Sequence, residues 1–126
     1  MTESENITAD ESYAASYRVF WNAVSMLALD ANGQCESMGN YNVAWELKDD
    51  VSAGRYLFNS TACPLSSAQK QGVNDLIYSL QSVPCERLAQ AISALENQKT
   101  MNHSCWAPLR VKAAQILQTL PKPEPD

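Results

Sequence analysis

Apolar side chains recur at intervals of three and four along most of this chain, a spacing that places them on one face of an α-helix. No segment alternates apolar and polar residues as a half-buried strand would. A chain of 126 residues, 45% of them apolar, can build one compact core. The pattern therefore predicts a single all-α domain. Its first stripe consists of Tyr13, Tyr17, Phe20, Val24, Leu27 and Ala31.

The first two predicted helices are bounded by capping and breaking residues. Thr8 and Glu11 form a capping-box pattern, so helix 1 is expected to begin there and to run to about Ala31. A second stripe favours helix 2 over residues 41–59, with Gly54 as the point where it can break. Helix 1 is apolar on nearly all sides, which is typical of a central helix or of one at a subunit contact.

Three further helices are predicted downstream. Ser66 and Gln69 form a second capping box ahead of helix 3. Pro84 suits the first turn of helix 4, where a missing N–H costs nothing, and Ser104 can cap helix 5. Short connections between successive helices are typical of antiparallel packing. We therefore expect an all-α antiparallel bundle of about five helices.

The charge is concentrated at the two ends of the chain. The formal net charge is −5, and its acidic excess falls in residues 1–12 and 121–126. We expect residues 1–9 to form a flexible acidic tail, 10–120 the helical bundle domain and 121–126 a Pro-rich tail. A neutral globule does not suit binding to nucleic acid, and no apolar run is long enough for membrane insertion.

Four cysteines in a short chain without a C-x-x-C motif favour disulfides over zinc. If the helices alternate in direction, Cys35 and Cys85 fall at one end of the bundle and Cys63 and Cys105 at the other. Pairing Cys85 with either of the latter two would span a helix of at least ~20 Å, against a Cα separation of about 6 Å in a disulfide. We therefore expect the bundle to be cross-linked by two disulfides, one joining Cys35 to Cys85 and one joining Cys63 to Cys105.

Disulfides indicate an oxidising compartment. The chain opens on acidic residues, whereas an export signal opens on basic residues followed by an apolar run. We expect that such a signal has been removed and that the protein works in the periplasm. If Met1 is the natural start, the disulfide prediction loses much of its support.

Few residues in the sequence can support catalysis. His103 is the only histidine, and side chains as close in sequence as His103 and Cys105 rarely point at one site, although a free and exposed Cys105 would revive the pair. A solvated helix face explains the doublet of Asp49 and Asp50 more simply than acid–base chemistry does. Neither the cysteine spacing nor any acidic loop matches a metal site. We expect no catalytic residue, no metal, no cofactor and no enzymatic activity.

Helix 2 places two large aromatic side chains opposite its apolar stripe. Trp45, Asp49, Ser52 and Tyr56 follow one another at intervals of four, three and four, so they share one helix face. Two aromatic rings with a carboxylate between them are typical of a partner-binding surface. The alternative is that both rings pack beneath a loop or a neighbouring helix.

Helix 1 also carries apolar residues away from its main stripe. These are Val19, Trp21, Met26 and Leu29. They suit the interface of a homodimer, and a central position of helix 1 explains them equally well.

Most of the chain resembles one known family. The resemblance depends on the overall length, on the four cysteines and on the stretches Tyr17–Trp21 and His103–Trp106. The chain resembles the periplasmic immunity proteins of type VI secretion systems, in particular those of Vibrio that neutralise a spike-fused, lysozyme-like muramidase effector. The resemblance implies a homodimeric periplasmic inhibitor that occludes the glycan cleft of a peptidoglycan hydrolase and so protects the producing cell. It contains no short diagnostic motif, and it transfers no contact residues.

Two functions of other classes compete with an inhibitor. A carrier of small apolar ligands would use a cavity inside a disulfide-tied bundle, although such carriers usually have six cysteines and this chain has four. A thiol enzyme would use His103 and Cys105. We expect no free thiol in an inhibitor or a carrier, and at least one in a thiol enzyme.

Overall fold

The computed structural model describes residues 9–38, 42–59, 62–83 and 93–123. All regular elements in these ranges are helical and none is a strand, so the all-α prediction is confirmed. These ranges contain six α-helices, of which the short one at residues 31–38 was not predicted as a separate helix. The α-helices are α1 (Ala9–Leu27), α2 (Ala31–Met38), α3 (Val43–Ser52), α4 (Ser67–Gln81), α5 (Ala94–Met101) and α6 (Ala107–Thr119), with 3₁₀ segments at Ala53–Asn59 and Ser104–Trp106.

Four of the helices surround the core. α1 and α4 each pack against both α3 and α6, while the short helices α2 and α5 pack against each other. The Tyr17 hydroxyl in α1 donates a hydrogen bond to the Pro121 carbonyl just after α6 (2.5 Å), and Gln69 at the start of α4 donates to the Thr119 carbonyl at the end of α6 (3.0 Å). Later in α4, Ser79 accepts a bond from Lys112 near the start of α6 (2.9 Å). α6 therefore runs antiparallel to α4, as expected of such a bundle.

The core is built from the predicted apolar stripes. All residues of the first stripe are buried except Tyr13, which packs at the edge of the core. Trp106 is the largest side chain that is fully buried. Burial of these side chains supplies the main driving force for folding. Together with Trp106, the fully buried group includes Val24, Leu27, Val43, Leu47, Val51, Val73, Leu76, Leu80 and Met101.

Helix α1 ends at Leu27 and not near Ala31 as predicted. Asp30 begins α2 instead, because its Oδ1 accepts a hydrogen bond from the Gly33 N–H at 2.8 Å in an N-cap arrangement. The fully buried Gln34 then donates from Nε2 to the carbonyls of Met26 (3.3 Å) and Leu27 (3.0 Å). Gln34 thus satisfies the Leu27 carbonyl at the end of α1, whereas the Met26 carbonyl also accepts from the Leu29 N–H at 3.2 Å.

The expected break in the second predicted helix is present. α3 ends at Ser52, and a 3₁₀ segment continues through Gly54. A Cβ atom on Gly54 would lie 2.3 Å from Cε1 and 2.5 Å from Cδ1 of Phe20. The backbone of the 3₁₀ segment therefore approaches α1 more closely than any side chain would permit.

The second predicted capping box is confirmed. Ser66 and Gln69 bond reciprocally, and α4 begins directly after Ser66. Thr8 of the first box and the residues 84–92 at the start of predicted helix 4 lie outside the described ranges. The described part of that region shows α5 beginning after its N-cap Ser93.

The two predicted tails are largely outside the described residues, so the domain boundaries stay predictions. α6 ends at Thr119, and residues 121–123 are not helical, as expected of a segment with two prolines. Among the described helices, none combines the length and the apolar character that crossing a membrane requires.

The two predicted disulfides are not formed. Cys35, Cys63 and Cys105 are free thiols, no pair among them is at bonding distance, and Cys85 lies outside the described residues. Cys63 lies beside Tyr17, level with the end of α6, whereas Cys105 precedes the start of that helix. Because α6 has 13 residues, its two ends are about 20 Å apart. Cys63 and Cys105 therefore lie near opposite ends of α6, too far apart for a disulfide.

The disulfide prediction was wrong because it assumed about five helices that alternate in direction, with each cysteine at a helix boundary. Cys35 instead lies inside α2, where it is buried and neighbours the Arg110 guanidinium. Burial raises the pKa of the thiols of Cys35 and Cys105. The sequence argument for an oxidising compartment depended on these bonds and does not survive their absence.

We expect a non-reducing digest of the unfolded protein to yield no peptide that joins Cys63 to Cys105. In the native protein, iodoacetamide should modify Cys63 and Cys105, which are partly exposed, faster than Cys35, which is buried. Peptide mass spectrometry measures both results, and alkylation in denaturant, where the three rates should converge, is the control. A cross-linked peptide containing Cys63 and Cys105 would contradict the structure.

Candidate functional site

A cleft opens between α1 and the 3₁₀ segment Ala53–Asn59. Its volume is about 390 Å³, near the lower end of the range for small-ligand pockets. One wall is a face of α1, and the other is formed by the end of α3 and the 3₁₀ segment. The lining residues are Ser12, Tyr13, Ser16, Val19 and Phe20 on the first wall and Asp50, Ala53, Gly54, Tyr56 and Leu57 on the second.

The two walls converge where Phe20 packs against the bare backbone of Gly54. Phe20 is buried, but its neighbour Val19 turns outward and is 67% exposed. Tyr56 on the opposite wall is 69% exposed. Two large side chains therefore lie open to solvent on either side of one concave surface, and exposed apolar patches of this kind are typical of interaction sites.

The four residues predicted for the exposed face of helix 2 do not stay together. Trp45 is 51% exposed and Asp49 is exposed. Ser52 is buried, and its hydroxyl accepts a bond from Gln81 at 2.7 Å, so it does not reach the surface. A 3₁₀ helix turns about 20° more per residue than an α-helix, hence about 80° more over residues 53–56. This extra turn carries Tyr56 away from Trp45 and onto the cleft wall.

The residues predicted for a dimer interface are also distributed over different environments. Val19 and Leu29 are exposed, whereas Trp21 and Met26 are partly buried against the core. Val19 lies on the same cleft as Tyr56, so the predicted dimer surface and the predicted partner surface share this region. A homodimer through these residues stays a prediction.

Asp50 is the acidic residue on the cleft wall. Partial burial raises the pKa of its carboxyl group, and the neighbouring carboxylate of Asp49 raises this pKa further. The cations nearest in sequence are engaged elsewhere: the Lys48 ammonium donates to the Val83 carbonyl (3.2 Å) and the Arg55 guanidinium to the Ser52 carbonyl (3.1 Å). In the part of the chain that the structure describes, no cation pairs with Asp50.

Aromatic rings line the α1 side of this region. Tyr13 stacks on Tyr17 with ring centroids 5.8 Å apart, and Tyr17 contacts Trp21 at 6.4 Å. Burial raises the pKa of Tyr17 to about 12, with a smaller contribution from the Cys63 thiol, and it raises the pKa of Tyr13 further. Both hydroxyls are therefore neutral at physiological pH, and the cleft carries no negative charge from them.

The free thiol of Cys105 reopens the question of a thiol enzyme. His103 Nδ1 accepts a hydrogen bond from the Cys105 backbone N–H at 3.1 Å. His103 is therefore the N-cap of the 3₁₀ segment Ser104–Trp106, whereas Ser104 was the predicted cap of helix 5. The imidazole nitrogen that faces Cys105 is thus bonded to the backbone and not to the sulfur. Burial also raises the pKa of the thiol, which disfavours the reactive thiolate. This geometry favours a structural role for His103.

A second polar cluster joins α2, α5 and α6. Arg110 donates from Nη2 to Gln34 Oε1 (2.8 Å) and to the Met101 carbonyl (2.5 Å). Burial lowers the pKa of Arg110, and the nearby Asp30 opposes that shift. These bonds tie α2 and α5 to α6, which gives the cluster a structural role, while the buried Nε of Arg110 has no hydrogen-bond partner among the described residues. Within the described residues, no three side chains of the metal-ligating types lie together.

Sequence reasoning missed the cleft. It used Gly54 only as a helix breaker and assigned Asp50 to a solvated face, although a glycine inside a helical stripe also marks a close backbone approach. It also did not anticipate three further exposed side chains on other helices. These are Tyr78 on α4, Leu95 on α5 and Val111 on α6.

Comparisons with known proteins give no match. Neither a protein-family model, nor a curated protein, nor a solved structure is similar to this chain. The assignment of a function therefore depends on the cleft, on the exposed side chains around it and on the residues of the sequence.

Proposed function

We propose that this protein is an immunity protein of a type VI secretion system, which binds and occludes the active-site cleft of a peptidoglycan-degrading, muramidase-type effector. In this proposal it protects the producing cell in the periplasm and acts as a homodimer without chemistry of its own. Support comes from the resemblance carried by Tyr17–Trp21 and His103–Trp106. The periplasmic location is supported by that resemblance alone, since the thiols are free.

The observation that carries the proposal is the exposure of Val19 and Tyr56 on facing walls of one cleft. Protein interfaces are enriched in aromatic residues, and a few such side chains dominate the binding energy. Trp45 is also exposed on α3, but it is not among the residues that line the cleft. A folded helical scaffold presents these side chains with little ordering cost on binding.

The surface is called here the Val19–Tyr56 surface, and it consists of Val19, Asp50 and Tyr56 on the walls of the cleft. A standard interface buries about 800 Å² on each partner. The whole described surface has an area of 7772 Å², so an interface of that size would use about a tenth of it. Because Val19 belongs to this surface, we propose that a dimer forms through the region of Leu29 and leaves the cleft accessible.

Tyr56→Ala tests the proposal together with Tyr78→Ala as its matched control. Tyr78 is 81% exposed on α4, away from the cleft lining. The wild-type protein should inhibit a purified lysozyme-like muramidase domain of a spike-fused type VI effector at one inhibitor per enzyme in a peptidoglycan turbidity assay. Tyr56→Ala should weaken the affinity about 30-fold, and Tyr78→Ala should leave it unchanged.

This assay tests the immunity function and the location of the binding surface separately. If the wild-type protein inhibits no such muramidase and forms no complex with it in size-exclusion chromatography, the immunity function is wrong. If it inhibits and Tyr78→Ala weakens binding while Tyr56→Ala does not, the inhibitory surface lies on α4 and not at the cleft.

A carrier of small apolar ligands is the second candidate, and the volume of the cleft favours it. About 390 Å³ bounded by Val19, Phe20 and Leu57 is enough for a small apolar molecule. Native mass spectrometry of protein purified without detergent, followed by solvent extraction, distinguishes the two. A stoichiometric bound small molecule supports the carrier, and an empty protein that inhibits the muramidase supports the inhibitor.

A further inference from the structure

The cleft presents the carboxylate of Asp50, which no cation among the described residues neutralises. Asp50 belongs to α3 and lines the cleft together with Ala53; its side chain is exposed, but protein atoms exclude part of the water around it. Partial loss of hydration disfavours the ionised carboxylate, so a cation beside it would stabilise it. The adjacent Asp49 adds repulsion, so the electrostatic potential at this wall is negative.

The cations of this chain nearest in sequence to Asp50 do not supply that compensation. Lys48 is bonded to the carbonyl of Val83 and Arg55 to the carbonyl of Ser52. Both side chains thus satisfy backbone oxygens elsewhere, and the described residues bring no other cation to Asp50. Among the described residues none brings a positive charge to this wall, which is therefore open to a cation of another molecule.

The other groups of the cleft specify what kind of cation fits. The rings of Tyr13 and Tyr56 and the side chain of Val19 surround the carboxylate with apolar and aromatic surface. A guanidinium group is planar, weakly hydrated and able to stack on a tyrosine ring while it pairs with a carboxylate, whereas an ammonium group is more strongly hydrated. A divalent metal ion is a poor fit, because one carboxylate beside the Ser12 and Ser16 hydroxyls falls short of the six or more oxygens it prefers.

We propose that the cleft receives an arginine side chain of the partner protein, whose guanidinium pairs with Asp50 and stacks on Tyr56. This inference rests on the proposed function, since it names the chemistry of the partner that the Val19–Tyr56 surface binds. The exposure of Val19 and Tyr56 at the cleft favours an arginine carried by a protein over a free small cation, because a small cation would leave most of this surface uncovered.

The first experiment uses small probes and needs no partner. N-acetyl-arginine amide is titrated into ¹⁵N- and ¹³C-labelled protein, with N-acetyl-citrulline amide as its uncharged isostere. The arginine probe should shift the NMR resonances of Val19, Ala53 and Tyr56 in a saturable way at millimolar concentrations, and the citrulline probe should not. Asp50→Asn should abolish the shifts. Asp75→Asn, which makes the same charge change on exposed α4, should preserve them.

The second experiment uses the muramidase domain named above. Asp50→Asn should weaken the complex by at least about tenfold, because an arginine buried in the interface would lose its counter-charge. Asp75→Asn should bind like the wild type, and circular dichroism checks that both variants are folded. An Asp50→Asn variant that inhibits as strongly as the wild type overturns the arginine inference and leaves the inhibitor function standing.

The two experiments also fail in distinguishable ways. If the arginine probe binds the cleft but no muramidase is inhibited, the arginine site stands and the proposed function is wrong. If arginine and citrulline probes give equal shifts, or neither gives any, the arginine inference is overturned whatever the inhibition assay shows.

Discussion

Replacing Gly54 with alanine is expected to lower the free energy of unfolding by about 3 kcal/mol. The new Cβ would lie 2.3 Å from Cε1 and 2.5 Å from Cδ1 of Phe20. These atoms belong to a rigid ring that is only 3% exposed, so the ring cannot give way without disturbing the core packing around it. Relief requires α1 and the 3₁₀ segment to move apart, and that movement also widens the cleft between them.

Gly72→Ala is the matched control for this prediction. Gly72 lies within α4, and a Cβ there would meet no atom within 4 Å. The same chemical change should therefore stabilise the protein by about 0.5–1 kcal/mol, because alanine loses less backbone entropy in a helix. Urea denaturation followed by circular dichroism measures both variants. A Gly54→Ala protein as stable as the wild type would show that α1 and the 3₁₀ segment do not pack at this distance.

Gln34→Leu is expected to destabilise the protein by about 2–3 kcal/mol. The leucine has a similar volume, so the main loss is polar. The amide of Gln34 donates to the carbonyls of Met26 and Leu27 and accepts from Arg110. Its replacement removes the side-chain partner of the buried Leu27 carbonyl and one of the two acceptors of Arg110 Nη2, and unpaired buried groups are costly.

Gln71→Leu provides the corresponding control at a surface position. Gln71 is exposed on α4 and bonds only to Asp75, so this variant should change stability by less than about 0.5 kcal/mol. Arg110→Met completes a double-mutant cycle with Gln34→Leu. A coupling free energy of about 1–2 kcal/mol between these two sites is expected, and additive effects would show that the bond between them contributes nothing.

Local sequence patterns predicted the elements whose determinants are local. The capping box of Ser66 and Gln69 and the apolar stripe behind it defined α4, and both features act within a few residues of the helix start. Gly54 was also correctly identified as the end of a regular helix. The α2 helix was missed, because its N-cap Asp30 lies inside a continuous helical stripe and the buried role of Gln34 depends on the distant Arg110.

The cysteine pairing and the cleft depend on tertiary arrangement and were not predictable in this way. The pairing argument required each cysteine to sit at the end of a long helix, and a single extra helix placed Cys35 elsewhere. The face shared by Trp45 and Tyr56 required an uninterrupted α-helix. The change to 3₁₀ geometry after Ser52 rotated Tyr56 toward α1 and, with Val19, produced a site that neither helix pattern contains alone.

The bond pattern of Gln34 has a consequence for how this molecule meets a partner. The Gln34 side chain bonds to backbone carbonyls on the inner side of the corner between α1 and α2, so the angle between these two helices is held rigidly. Val19 on α1 and Leu29 in the corner therefore keep their mutual orientation when the protein is free. A partner that binds at this edge, as we propose, has to match a preset shape, because the edge cannot adjust to one that fits poorly.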